Sequence, residues 1–235
     1  MAIRPVFMVS NSQPFVKVEE VEFKYYSGFA ASQAQKSIAS LHAAFEGRHP
    51  ERNGKILEIS TKSSIALGNQ LSAFNLRYHF NPDNAYSIEN VFQAGKCFEN
   101  GCQYTDLLAV SPFEAKRDPR LKESGSVIAF KLGTRAFPTI PTTFFYDWIY
   151  VNAVFQNKNL AKELLKYEAF TDIAFNPVKS WNCQAKSAAI FVSLSKNGLL
   201  SRALADPDSF RETVYSERSA SPQAEARQIS ILDLL

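Results

Sequence analysis

Between Ala85 and Phe98 the chain reads AYSIENVFQAGKCF, and this stretch limits the fold more tightly than any other. At about 100° per residue, Ile88, Val91, Phe92, Gly95 and Phe98 fall on one apolar arc of a helix. Glu89, Gln93 and Lys96 follow at i, i+4 and i+7, a narrow polar stripe along one edge of that arc. Asn90 and Cys97 are expected further round, toward solvent. An acid, an amide and an amine carried half into a core must satisfy one another or face a site. Long side chains that snorkel to water give the same spacing, so periodicity leaves both readings open.

The flanks agree with a helix. NPDNAYS supplies turn and capping residues before it, and Asn100-Gly101 is expected to end it. With Asn84 or Ser87 as N-cap, Glu89 lies in the first turn, where the helix dipole favours negative charge.

Elsewhere the pattern alternates between classes. Residues 5–27 predict two strands, with VKVEEVEFKYY the clearer period of two. ASQAQKSIASLHAAFE predicts a helix over 31–46, and KILEI a short apolar strand. SPFEAKRD places Ser111, Pro112 and Glu114 as N-cap, first residue and third residue of a helix, a capping box, with Pro119 limiting it. Residues 126–143 are expected to be extended or loop. FFYDWIYVNAVFQ and NLAKELLKY predict two helices, AFTDIAFNPVKSWNCQ a packed loop, and QAKSAAIFVSLSKNG a helix stopped by Gly198. The resulting expectation is an α+β fold, predominantly α-helical, with a few short strands near the N-terminus. Residues 1–50 form an extension packed on a main domain at 51–205, and 206–235 form a tail or linker ending in ISILDLL.

With 235 residues and 46% hydrophobic content, the chain can bury a sizeable core. No apolar run of about 18 residues exists to cross a membrane, and the N-terminus has no secretory h-region. Three cysteines and three histidines, scattered without metal-ligand spacing, argue against a disulfide framework or a zinc site and suit a reducing cytoplasm. A net charge of +3 permits an anionic partner without requiring one.

Several weaker features carry chemistry. Lys116 and Arg117 in EAKRDPRLK offer phosphate donors, or else a solvated charged face. The turn STKSS, with Lys62 and Ser63, offers hydroxyls and amides to phosphate or ribose, but it is not a P-loop. Asp172 stands alone among Phe170, Ile173 and Phe175, where desolvation would raise its pKa. In FFYDWIY, Asp147 reads as a core residue, while Trp148 could stack on a base. The absence of GxGxxG, HExxH and GxSxG patterns counts against dinucleotide oxidoreductases, zincins and serine hydrolases.

Taken in order, LSAFNL, YSIENVFQAGKCF, EAKRDPRL, AFTDI and NCQAKSAAIFVSL resemble the NADAR family, proteins linked to NAD and ADP-ribose. EAKRDPRLKESG, FYDWIY and FTDIAFNPVKSWNCQAKSA are most similar to its DarT-associated antitoxin branch, as is the segment GFAASQAQKSIASLH. The family helix carries a His where this chain has Asn90, and the segment FNPVKSWNCQ departs from the family's glycine- and Trp-rich form. The resemblance implies an N-glycosidase acting on ribose. In that branch the partner toxin ADP-ribosylates guanine in DNA and the NADAR protein removes the group; a modified base must be reachable, so single-stranded or flipped DNA is expected. Relatives in riboflavin metabolism instead split a ribosylated small molecule. A binding module for ADP-ribose or for the toxin is the third possibility. Glu89, Lys96 and Asp172 are then the expected catalytic residues. Lys62, Ser63, Asn75, Tyr86 and Gln93 are expected to meet the sugar or phosphates, Lys116 and Arg117 the pyrophosphate, and Phe74, Trp148 and Trp181 to stack. No cofactor or metal is called for.

Overall fold

β1 (Ala2–Val9) and β2 (Val16–Phe23) form the hairpin expected from the alternation, paired antiparallel from Ala2 with Phe23 to Val9 with Val16. The computed structural model describes residues 1–28, 30–178 and 180–216; the expected ISILDLL end lies outside them. α1 follows at Ala31–Glu46 with the expected boundaries. Its Ile38, Leu41 and Phe45 sit at i, i+3 and i+7, so all three reach the same apolar surface.

The next segment alternates short strands and helices. It comprises β3 (Ile56–Glu58), α2 (Ala66–Gln70), the hairpin β4 (Arg77–Asn81) and β5 (Asn84–Ser87), α3 (Ile88–Gly95), and β6 (Lys96–Phe98). The turn NPDN thus belongs to a hairpin rather than only to a helix cap. Beyond it lie α4 (Pro112–Arg117), α5 (Arg120–Glu123), and the strands β7 (Val127–Leu132) and β8 (Arg135–Phe137). The capping box at Ser111 and Glu114 forms as the sequence predicts. The last segment holds α6 (Phe144–Gln156), α7 (Lys158–Leu164), β9 (Ala169–Thr171), α8 (Gln184–Lys196), α9 (Leu200–Ala203) and α10 (Pro207–Tyr215).

The architecture is therefore mixed α/β, 43% helical and 21% strand, rather than predominantly helical. Strands occur along the whole chain, in sheets ordered β2-β1-β9-β3, β4-β5 and β6-β7-β8. AFT, expected as packed loop, is one of the two interior strands of the first sheet. β9 runs antiparallel to β1 and parallel to β3, and all three of its residues are buried. A strand covered on both faces needs no polar alternation, which removes the signal that identifies half-buried strands.

That sheet is covered on both sides. Val6, Met8, Val21, Phe23 and Ile56 face Ile38, Leu41 and Phe45 of α1. Phe7, Val9, Leu57 and Phe170 face the larger core built on α6 and α8. α6 is apolar nearly all round because it is enclosed by neighbours, and its one acid, Asp147, is fully buried. Thr143, Ser187, Lys186 and Tyr215 all donate to Asp147, which ties α10 to α6. Side chains of α3 meet this core through Ile88 and Val91.

Candidate active site

α3 begins at Ser87, whose Oγ accepts from the Asn90 amide at 3.1 Å. The helix then ends three residues short of Phe98, the last residue of its apolar arc. Gly95 is the last helical residue, and a Cβ there would lie 2.7 Å from Cζ of Phe145. Only glycine lets α3 rest this closely on α6. Lys96 then leaves the helix with φ −65° and ψ 129° and pairs with Phe130 as a strand residue. Its amine still turns back over the Phe92 ring at 5.1 Å, toward Glu89.

Asn90 overturns the expectation of a solvent-facing position, being 2% exposed. Its Nδ2 donates to the carbonyls of Leu107 at 2.7 Å and Val110 at 2.9 Å, while Ser87 Oγ donates to its Oδ1. The amide thus anchors the segment leading into α4.

α4, so positioned, brings Lys116 to the helix edge. Glu89 is 6% exposed, accepts from Gln93 Nε2 at 2.7 Å through Oε1, and meets Lys116 Nζ at 3.4 Å through Oε2. Gln93 Oε1 is buried with no hydrogen-bond partner among the described residues. Lys116 also lies over the Phe74 ring at 5.3 Å. Burial pushes the Lys96 amine down to about 8; the Glu89 charge opposes that shift and the Lys116 charge adds to it. Two amines against one carboxylate leave the cluster cationic when all are ionised, a field suited to phosphate oxygens.

Asp172 reaches the same region from the end of β9. Its Oδ2 accepts from Gln184 Nε2 at 3.0 Å and its Oδ1 from the Ala174 amide at 3.0 Å. Gln184 also donates to the Ile59 carbonyl and accepts from the Ala73 amide at 2.6 Å, while the Ala73 carbonyl accepts from the Glu89 amide at 2.9 Å. A continuous polar chain therefore links Asp172 to the first turn of α3. Burial, then the neighbouring Glu58 carboxylate, push Asp172 up to about 7, where a carboxyl can give or take a proton near neutrality.

Tyr146 of α6 lies within electrostatic reach of both acids. Its phenol is held well above its ordinary pKa by burial, then by Glu89, Tyr150, Cys183 and Asp172. Its ring packs edge-on against Phe92 at 5.4 Å. This residue was hidden in FFYDWIY, where Trp148 drew attention instead. Trp148 is 8% exposed and packs against Phe137 and Phe210 in the core, so its expected stacking role on a base has no support in its surroundings. Glu58, 2% exposed, was likewise missed; KILEI gave it only an apolar frame.

The other expected residues divide by position. Lys62 and Ser63 occupy the turn after β3, beside Glu58, where Lys62 is exposed and its amide donates to Ser60 Oγ at 3.1 Å. Phe74 lies under Lys116. Asn75 is exposed and donates to Asn69. Tyr86 is half-buried in β5 against Phe80, and Trp181 is half-buried in the segment before α8. Arg117 points outward from α4, stacked at 3.9 Å on the exposed Phe113, and is not brought to Glu89. Among the described residues no group of three or more His, Cys, Asp or Glu side chains is placed to hold a metal ion, and no helix is long and apolar enough to cross a membrane.

No curated protein matches the chain. A family model does: that of the DarT1-associated NADAR antitoxins, over residues 2–224. The match runs through the N-terminal hairpin and α1 as well as through the Glu89 helix and the Asp172 turn, and the chain belongs to the DarT1-associated NADAR antitoxin family.

Proposed function

We propose that this antitoxin is an N-glycosidase that removes ADP-ribose from guanine in DNA and so reverses the modification made by its toxin. One observation carries the reading. A buried acid, Glu89, shares a half-open cluster with Lys116, with the Lys96 amine lowered to about 8, and with the Gln93 amide oxygen, which has no partner among the described residues. N-glycoside cleavage passes through an oxocarbenium-like state, which needs negative charge near the anomeric carbon and a proton for the departing nitrogen. Glu89 serves the first need. Asp172, poised near neutrality, serves the second.

Two routes use these groups. In the direct route, Glu89 takes a proton as a water oxygen bonds to the anomeric carbon. The carbon–nitrogen bond breaks with its electron pair going to guanine, and Asp172 protonates the departing nitrogen. In the amine route, neutral Lys96 bonds to that carbon instead and guanine leaves. The ring oxygen then departs to open the sugar as an imine, and water hydrolyses the imine to ADP-ribose and the free amine. Lys116 beside Glu89 supplies charge for the pyrophosphate. A modified base must leave the stack to reach these groups, so single-stranded or flipped DNA is the form bound.

The near balance of 26 Lys and Arg against 23 Asp and Glu favours a second reading, turnover of a small ribosylated metabolite. Incubation with an oligonucleotide carrying ADP-ribosyl-guanine decides between them. Release of free ADP-ribose, abolished in a Glu89→Ala variant that melts like the parent, supports the proposal. Turnover of a ribosylated metabolite with the oligonucleotide untouched supports the second reading. Tight binding of ADP-ribose with release from neither substrate makes the protein a binder.

A further inference from the structure

Beside Asp172 lies a second acid with no assigned task. Glu58 ends β3, directly opposite Thr171 in the parallel pairing with β9, so it stands one residue from Asp172 across the ladder. Its carboxylate is 2% exposed and receives three donors. Ser60 Oγ and the Ile173 amide reach Oε1 at 2.6 and 2.9 Å, and Thr171 Oγ1 reaches Oε2 at 2.6 Å. No cation pairs with it among the described residues. A buried carboxylate held this way stays fixed in position, and its charge acts on neighbours through a poorly screening interior.

The chain of contacts runs outward to the N-terminal layer. Thr171 has one hydroxyl proton, and donating it to Glu58 leaves Oγ1 to accept. His42 of α1 lies 2.9 Å from that oxygen through Nε2, so Nε2 carries the proton. Burial lowers the His42 imidazole to about 4, which keeps it neutral at physiological pH and consistent with this single donated bond. α1 is thereby bonded to the Asp172 turn through Thr171 and Glu58.

We propose that Glu58 is a positioning residue for Asp172, and that the N-terminal helix serves the active site through it. His42 orients Thr171, Thr171 and Ser60 fix Glu58, and Glu58 fixes the turn carrying Asp172 and opposes loss of its proton. The Ile173 amide bond to Glu58 sets the backbone immediately after Asp172. The Glu58 charge sits on one side of Asp172; Gln184 from α8, Cys183 before it, and Tyr146 and Tyr150 from α6 surround the rest. Among these neighbours Glu58 is the acid; burial raises both carboxyls, and the like-charge repulsion between them favours a proton held by the pair. This assignment rests on the glycosidase reading for its catalytic consequence, though not for the coupling itself.

Glu58→Gln tests it with little change of shape. The amide oxygen can still accept from Ser60 and Ile173, while the new NH2 donates to Thr171, whose hydroxyl then turns to His42 in its other tautomer. The variant should melt near the parent. The Asp172 carboxyl, followed by carbon-detected NMR titration without substrate, should titrate on the order of one pH unit lower. In release assays the alkaline limb of kcat/KM against pH should fall by the same amount. A His42→Phe variant should lower kcat several-fold with KM little changed. An unmoved Asp172 titration in folded Glu58→Gln overturns the proposal, as does a uniform loss of activity with the pH profile in place. A wild-type protein that releases no ADP-ribose defeats the glycosidase reading instead. The titration then still decides whether Glu58 governs Asp172.

Discussion

Glu89 and Gln93 stand one helical turn apart with Oε1 and Nε2 separated by 2.7 Å. A carboxylate only accepts, so the NH2 of Gln93 must face it, and the Gln93 carbonyl must face the other way. That carbonyl is buried, with no partner among the described residues. On the glycosidase reading, that oxygen would accept a hydrogen bond from a ribose hydroxyl.

Gln93→Met keeps the length of the side chain and removes both polar ends. It loses one hydrogen bond to Glu89 and also removes an unsatisfied buried acceptor, so stability should change by no more than about 1 kcal/mol. Activity should drop about 10- to 100-fold, expressed mainly in kcat/KM. Urea titration and release assays on the same preparation separate the two effects. A destabilised variant with normal turnover would show that Gln93 serves only the fold.

Lys96 gives a prediction whose sign runs against habit. The amine titrates near 10.5 when free and near 8 in the fold. Between those values the unfolded chain holds the extra proton, so stability rises with pH across about pH 8 to 10.5. Below pH 8 the folded state carries a disfavoured buried charge. Lys96→Met should therefore raise the melting temperature at pH 7, flatten the rise above pH 8, and lose turnover if the amine attacks the sugar. Borohydride trapping of a sugar adduct on Lys96 would establish that attack. Full turnover by Lys96→Met would end the amine route and leave water as the nucleophile.

How far the sequence reveals this site depends on whether each signal is local. The capping box at Ser111 and Glu114, the bounds of α1, and the stop at Gly198 follow from neighbours in the chain, and the structure has them where expected. Glu89, Gln93 and Lys96 share an edge by spacing alone, although Lys96 reaches it as a strand residue after Gly95. What could not be read is set by distant packing. Asn90 looks solvent-facing until the segment before α4 covers it. β9 lacks alternation because both its faces are covered. Tyr146 and Trp148 sit two residues apart in a helix enclosed all round, and such a helix gives no direction for either ring. Residue type favoured Trp148, whereas position favours Tyr146.

Asn90 offers a test of coupling between fold and site. Its side chain bonds Ser87, Leu107 and Val110, and through the last of these fixes the entry to α4, which carries Lys116. Asn90→Ala takes this donor from the buried Leu107 carbonyl and from the partly exposed Val110 carbonyl, and should cost about 2 kcal/mol. Lys116 should then lose its register with Glu89, so KM for an ADP-ribosylated substrate should rise more than kcat falls. Calorimetry and steady-state kinetics measure the two. A stability loss with KM untouched would mean that the capping box holds α4 without help from Asn90.

Gly68 supplies the most direct steric prediction. A Cβ there would lie 1.9 Å from the Glu58 carbonyl and 2.5 Å from Ser63 Oγ. Ser63 can rotate away, but the Glu58 carbonyl belongs to β3, which is held in register with β9 by Glu58 and Thr171. α2 must therefore move, or the end of β3 must. Gly68→Ala should lose about 3 kcal/mol, a fall in melting temperature of about 6–12 °C. Moving the end of β3 also displaces Glu58 and with it the Asp172 turn, so turnover should fall beyond what the unfolded fraction accounts for. Thermal melts paired with assays well below the transition distinguish these outcomes. A normal melting temperature would show that α2 yields freely, and that the close approach at Gly68 constrains neither β3 nor the site.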